Sequence, residues 1–378
     1  MAEKNLKVPN LRFPEFIRYG KWETKKLGDV GAVKMCRRIF NEETSEIGEI
    51  PFFKIGSFGK EADAFISRQL YLDYRERFSF PQKGDILISA AGTIGRTVVY
   101  KGEDAYYQDS NIVWIDNDNT EVTNQFLFYI LQIVKFNTEG GTIQRLYNNI
   151  LKSTRFNSPA IFEQTKIADF LSLIDARIQT QNKIIAQLET LMQGLREKLF
   201  KQQLRFKDEN GNNFPDWEMK SLGNILTIGN GKDYKNLNSG DVPVFGTGGL
   251  MTYVDSFLYN GETVCIGRKG TINKPMYYKG KIWTVDTLFY THSFLNCSPK
   301  FIYYTFQSIN WLEFNEASGV PSLSKNTIER ILLSLPSFPE QIRIANFLTS
   351  IDEKIEAEKK ILNRYENQKK YLLQNMFI

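Results

Sequence analysis

Three cysteines and one histidine are all that the 378 residues hold, and this scarcity removes several kinds of chemistry. Cys36, Cys265 and Cys297 are unevenly spaced and form no CxxC pair. Neither a disulfide framework nor a zinc site is indicated, and a reducing, cytoplasmic setting is expected. His292 lies in an apolar, strand-like run, where a packed or edge histidine is expected before a general base, so a histidine-dependent triad has little support. Long apolar runs are missing too. No 18 apolar residues follow one another, and MAEKNLKVPN has no apolar signal core, so neither membrane spanning nor export is expected. Charge of one sign is also in short supply. The net charge of +5 divides into 20 basic and 19 acidic side chains over residues 10–162 and 11 and 10 over residues 210–339. DNA affinity is largely phosphate neutralisation, so any DNA binding here must rest on local clusters or on a more basic partner.

What the sequence does contain is a duplication. IFEQTKIADFLSLIDARI sits over FPEQIRIANFLTSIDEKI, within a tract from Pro159 to Phe200 that matches Pro336 to Phe377 without a gap, at a constant offset of 177. Within a residue, the same offset carries GDILISAAGTIGRTVVYKGE at Gly84 onto GETVCIGRKGTINKPMYYKGK at Gly261. It also places Leu146 and Asn149 over Leu323 and Asn326. Near the start of each copy stands W-x4-LG, as Trp22, Leu27, Gly28 and as Trp217, Leu222, Gly223, now offset by 195. The first copy therefore holds 18 more residues between its Trp and its GD strand. LRF precedes both copies, at Leu11 and Leu204, which sets the boundary near residue 204.

The matched tracts read as two long helices. Apolar residues alternate four and three apart along Ile167, Leu171, Ile174, Ile178, Gln181, Ile185 and Leu188, and again along Ile344, Leu348, Ile351, Ile355, Glu358 and Leu362. Gln181 and Glu358 interrupt the two seams at the same step. A polar seam residue costs stability but can fix register, and simple exposure is the other reading. Ser337 to Glu340 reads as a capping box, with Pro339 in the first turn. Neither helix can bury its stripe alone. Two such helices in one chain are expected to pair antiparallel about a pseudo-twofold axis, with a globular domain at either end; oligomerisation is the competing use.

Between the helices the pattern is mixed. ILIS, TVVYKG and NIVWI read as strands, as do TVCIG, MYYKG and TLFYTH, and a helix follows each set, the second with Ser298 as cap and Pro299 at its first position. The expected division is residues 1–160, 161–203, 204–336 and 337–378: domain, helix, domain, helix. Gly92, Gly95 and Gly231 read as turn glycines, because GTIGR and GNGK lack the GxxxxGK order of a phosphate-cradling loop. Asn157-Ser158-Pro159-Ala160 lacks the second Pro and the aromatic of an adenine methyltransferase site. What remains are basic, hydroxyl and amide clusters in loops. In the first copy these are Lys34, Arg37, Arg38, Lys54, Ser57, Thr93, Arg96, Gln144 and Arg145. In the second they are Lys232, Lys235, Thr247, Arg268, Lys269, Lys274, Ser322 and Lys325. Arg and amide groups suit base edges in a major groove, while Lys and hydroxyls suit phosphates.

W-x4-LG, GDI-x-IS-x2-GTIG and EQ-x2-IA-x2-L-x2-ID-x2-I, in this doubled order, resemble the specificity subunit of type I restriction-modification systems over essentially the whole chain. The resemblance implies an α/β fold: two pseudo-twofold-related, mixed α/β target recognition domains separated by two long helices that form an antiparallel coiled coil. It implies that each domain reads one half of a bipartite, asymmetric site in double-stranded DNA. The coiled coil would set the spacer and dock two modification subunits. S-adenosylmethionine would belong to those subunits, and ATP and magnesium to restriction subunits, leaving this chain noncatalytic with no cofactor of its own. One departure is Lys269-Gly270-Thr271-Ile272-Asn273, where the second Gly of GTIG is missing. A bivalent protein-interaction scaffold is the alternative from another class. A self-sufficient methyltransferase or nuclease would need motifs that are absent.

Overall fold

The computed structural model describes residues 8–136 and 145–378. Two compact units make up the chain: one runs to Thr180 and takes in Leu362–Ile378, and the other is Gln181–Ile361. The first long helix, Ile161–Phe200, and the second, Phe338–Asn375, each contribute to both.

In the first unit, strands Gly31–Lys34, Ile112–Asn117, Ile86–Ser89 and Thr97–Val99 lie side by side in that order, all antiparallel. Ile86, Leu87, Ile88 and Ser89 are all buried, as a strand covered on both faces must be. Ile86 and Ile88 join a core with Phe126, Ile130 and Leu171, whereas Leu87 joins another with Tyr71, Tyr106 and Trp114. That second core belongs to a smaller sheet, Phe65–Ile66, Ile50–Phe53 and Tyr106–Tyr107, and to helix Arg68–Arg77. Both lie wholly or largely in the stretch that holds the 18 additional residues.

The second unit has one six-stranded sheet, in the order Thr227–Asn230, Leu288–His292, Tyr259–Gly267, Met276–Thr284, Val242–Gly246 and Gly249–Val254. Neighbours are antiparallel except for Met276–Thr284 and Val242–Gly246, which run parallel. Helix Pro299–Ser308 starts as its sequence predicts, with Ser298 Oγ accepting from Phe301 N and Pro299 at the first position.

The repeated motifs form the joint between domain and helix, and the joint is the same in both units. Glu163 accepts Arg12 Nε and Nη2, both at 2.7 Å, and Trp22 Nε1 at 3.2 Å. Glu340 accepts Arg205 Nε at 3.1 Å and Nη2 at 2.9 Å, and Trp217 Nε1 at 3.1 Å. The next residue fastens the domain helix: Gln164 donates to Pro159 O and accepts from Thr123 N, and Gln341 donates to Pro336 O and accepts from Ser298 N. Nearly two turns further along the domain helix, Tyr129 donates to Asp175 and Tyr304 to Asp352. The glycine of W-x4-LG is required by close approach. A Cβ on Gly28 would lie 2.9 Å from Lys152 Cβ, and one on Gly223 3.1 Å from Glu329 Cβ.

The capping box expected at Ser337–Glu340 does not form. Ser337 Oγ is buried without a hydrogen-bond partner, because Glu340 turns instead to the charge-assisted donors of Arg205 and the indole of Trp217.

Within the first unit the helix segments run antiparallel, since Asp175 meets Lys369 at 2.7 Å while Arg177 lies over the Tyr365 ring. Ile167, Leu171 and Ile174 are buried in a core shared with the domain and with Leu372 and Met376; Ile178 packs beside them. In the second unit Ile344, Leu348 and Ile355 are buried with Met192 and Leu199 in that domain's core, with Leu188 and Ile351 half-buried against it. Ile185 is buried, while Leu362, in the first unit, is half-buried. Gln181 is only 7% exposed and donates to the Glu358 carboxylate at 2.5 Å. It bonds to the residue at its own place in the other copy.

Candidate nucleic-acid interface

In the first domain, the loop clusters converge on the turn Asp109–Asn111, where Ser110 adopts φ +54°. Arg38 Nε reaches Asp109 Oδ2 at 3.0 Å, and Arg145 Nη2 reaches Asn111 Oδ1 at 3.4 Å. Arg145 also pairs by a β-bridge with Ala91, which places it beside the Gly92-Thr93 turn. Thr93 is exposed, and its carbonyl accepts from Ser89 Oγ. Gly92 (φ +64°) and Gly95 (φ +80°) are turn glycines, as expected. Arg37 is exposed over the Phe78 ring, and Lys34 pairs with Asp116 at 2.5 Å.

Two of the predicted residues hold the loop itself. Ser57 is buried and its Oγ accepts from Lys54 N at 3.2 Å; Arg96 Nη1 donates to Phe58 O at 2.8 Å. The Lys54 side chain is half-exposed beside them. Gln144 lies outside the described residues.

The second domain builds the equivalent place around Val285–Thr287, at an offset of 177 or one residue less from that turn. Arg268 N and Lys269 N both donate to Thr287 O, and Lys269 forms a β-bridge with Ser322, matching the bridge of Ala91 with Arg145 within a residue. Lys232 N donates to Thr284 O, and its carbonyl accepts Trp283 Nε1 at 2.9 Å. Lys235 and Thr247 line a depression of about 620 Å³ together with Asp233, Met251 and Asp286. Gly231 is not a turn glycine. It is required by contact, since a Cβ there would lie 1.9 Å from Val285 O. Lys274 is exposed further along, and Lys325 pairs with Glu329 at 3.5 Å on helix Lys325–Arg330. Gly270 keeps a positive φ of 91°, but Asn273 does not take the second turn that Gly95 makes, so the two loops differ in course.

Among the described residues, none around these turns is arranged for nucleophilic chemistry. Burial pushes the Cys36, Cys265 and Cys297 thiols up to about 12, which keeps them protonated. Burial, and then the Lys325 charge, hold His292 below its usual range, and its Nδ1 lies 2.9 Å from Ser293 Oγ. What the surfaces offer is cations, hydroxyls and carboxylates on short, well-anchored turns, which suits recognition.

The family model described as the type I restriction modification DNA specificity domain matches residues 19–190 and 215–367, one span for each copy. The chain belongs to that family. A type I restriction enzyme specificity subunit from Haemophilus influenzae is 55% identical over 147 residues, 39% of this chain and 38% of that protein, so the match spans less than two-fifths of that relative's length. The MjaX specificity subunit of Methanocaldococcus jannaschii is 24% identical over 340 residues, covering 77% of this chain and 76% of the relative. Among solved structures, a type I restriction-modification S subunit from M. genitalium has the same fold, with a TM-score of 0.66 at 20% identity over 98% of this chain and 99% of that one.

Residues missed from the sequence include Arg12, Glu163 and Gln164 with their counterparts, and the strand Gly249–Val254. A signal for the first set was present: LRF and EQ are among the strings repeated in both copies of this specificity-domain chain.

Proposed function

We propose that this chain is the DNA sequence-specificity subunit of a cytoplasmic type I restriction-modification complex, in which each globular domain reads one half of a bipartite, asymmetric site. The observation that carries the reading is the pair of equivalent turns, Asp109–Asn111 and Val285–Thr287. The same scaffold presents each one, and different basic and polar side chains surround it. Arg38, Arg145, Arg268 and Lys269 supply contacts to base edges and phosphates. Ser57 and Arg96 support the loops behind them. The long helices set the spacer between half-sites and dock two modification subunits, which bring S-adenosylmethionine. Restriction subunits, using ATP and magnesium, join that assembly. The chain itself contributes recognition and no catalytic step.

The test is exchange of residues 10–160 for the first domain of another specificity subunit, followed by mapping of methylated adenines in cells carrying the modification subunits. One half-site is expected to change and the other to stay; a change in both halves, or in neither, sinks the reading. A second experiment addresses the spacer. Duplicating one heptad in each long helix adds about 10 Å of helix, or about three base pairs, and an unchanged spacer would count against the helices as its determinant.

A further inference from the structure

Strands Val242–Gly246 and Gly249–Val254 form a two-stranded ribbon at the edge of the six-stranded sheet, closed by the turn Thr247-Gly248. The ribbon is fastened from within: Val285 N donates to Phe245 O, and Gly246 packs against Met251 and Val285. Its outer strand is the free edge of the sheet, with Leu250 50%, Met251 53% and Tyr253 50% exposed. Large apolar side chains on a free edge strand invite unwanted pairing unless a partner covers them. The surroundings say which partner. Lys235 and Asp286 share the depression with Thr247 and Met251, and Arg268 and Lys269 are anchored on its wall through Thr287 O.

Each of these groups has a counterpart in a DNA major groove, which is wide enough for a two-stranded β-ribbon. Apolar side chains contact thymine methyls, a carboxylate such as that of Asp286 accepts from cytosine N4, and a threonine hydroxyl bonds to either partner of a base pair. Cations beside them engage the phosphates. An apolar protein surface would cover Leu250 and Met251 but leave the cations unmatched. We infer that the tip Thr247–Met251 is the part of the second domain that enters the major groove and reads base edges, an inference that rests on the DNA-reading function proposed above.

Among the described residues, the first domain has no such ribbon. Its corresponding strands, Ile50–Phe53 and Phe65–Ile66, also pair antiparallel, and Ile50–Phe53 also runs parallel to a later strand. Residues 54–64 join them, however, folded on themselves through Ser57 and tied down by Arg96. The two heads are thus built to read different sequences at the same structural position.

The experiment is the double variant Leu250→Ser/Met251→Ser in the full chain, assembled with its modification subunits, with methylated adenines mapped by sequencing. The preference at one or two positions of a single half-site should fall by roughly tenfold or more, with the other half-site unchanged. An unchanged motif overturns the inference, as does uniform loss of methylation by an assembled complex that keeps its motif, the result a protein-docking ribbon would give. Thr247→Ala leaves the apolar strand intact and decides the matter if the double variant does not fold: relaxation of the same half-site supports the inference, and a strict motif overturns it. Exchange of residues 204–336 as a whole separates the two levels. A motif that survives this exchange refutes the DNA-reading function, whereas a changed half-site together with inert tip variants refutes the ribbon alone.

Discussion

Removing the Glu163 carboxylate should unfold the first unit well before the second. The side chains of Arg12 and Glu163 are 5% and 2% exposed and make a bidentate pair with both bonds at 2.7 Å. In Glu163→Ala the guanidinium keeps only the carbonyls of Gly20 and Tyr19, and the Trp22 N–H loses the partner it has in the wild type. Breaking a buried pair from one side costs about 3–5 kcal/mol, because the remaining charge stays buried without its counterion. For a unit of this size each kcal/mol moves the melting temperature by about 2–4 °C, so the shift should be roughly 6–20 °C. Trp22 is one of five tryptophans, so the difference in tryptophan fluorescence between Glu163→Ala and the wild type during thermal or urea unfolding follows the loss. Arg12→Met/Glu163→Met should recover most of the loss, since the apolar pair removes both charges together. The second joint differs usefully. The Arg205 side chain is 24% exposed, so water screens it and Arg205→Met should cost less than Arg12→Met. A Glu163→Ala loss under about 1 kcal/mol, or a double variant worse than both single ones, would refute the view that this pair locks domain to helix.

Three further outcomes follow from single contacts. Gln181→Leu/Glu358→Leu replaces a part-buried polar pair with apolar residues; the free energy of unfolding should rise by on the order of 1 kcal/mol while size-exclusion chromatography shows added higher-order species, and a lower stability would argue that the pair is stabilising. His292 is the only histidine, and burial lowers its folded pKa below the unfolded value, so the unfolded chain binds more protons near pH 6. Stability should therefore rise with pH as it approaches the unfolded histidine value of about 6.5, and His292→Gln should flatten that slope in urea titrations. Gly231→Ala forces the backbone away from Val285 O and breaks the bond of Lys232 N with Thr284 O. Overpacking costs about 1–3 kcal/mol, and adenine mapping should show one relaxed half-site with the other intact.

How much of this was legible in the sequence depends on how local each determinant is. The two helices and the strands ILIS, NIVWI and TVCIG follow from residues within a turn or two of one another, and an offset of 177 carries them from copy to copy. Equivalent hydrogen bonds then appear at equivalent numbers, as at Gln164 and Gln341. Helix Arg68–Arg77 and the ribbon were harder to read. In the ribbon, Pro243 interrupts a strand pattern, and Leu250 and Met251, on opposite faces of their strand, are both exposed, so no alternation of apolar and polar residues marks it. The Arg12 and Glu163 pair spans 151 residues, and nothing local in LRF or EQ names the other. Repetition could have found it, because two strings kept together in both copies must be doing one job twice. The candidate loops show the opposite case. Ser57 and Thr247 are both hydroxyl residues in loops, yet one is buried holding its own turn and the other faces an open depression. Duplication preserves what anchors the domains to the helices, and under the proposed function the reading surface is the part that has to differ. The offset that makes the frame legible is therefore the wrong tool for the bases: those must be sought where the two copies stop matching, at residues 54–64 and at Thr247–Met251.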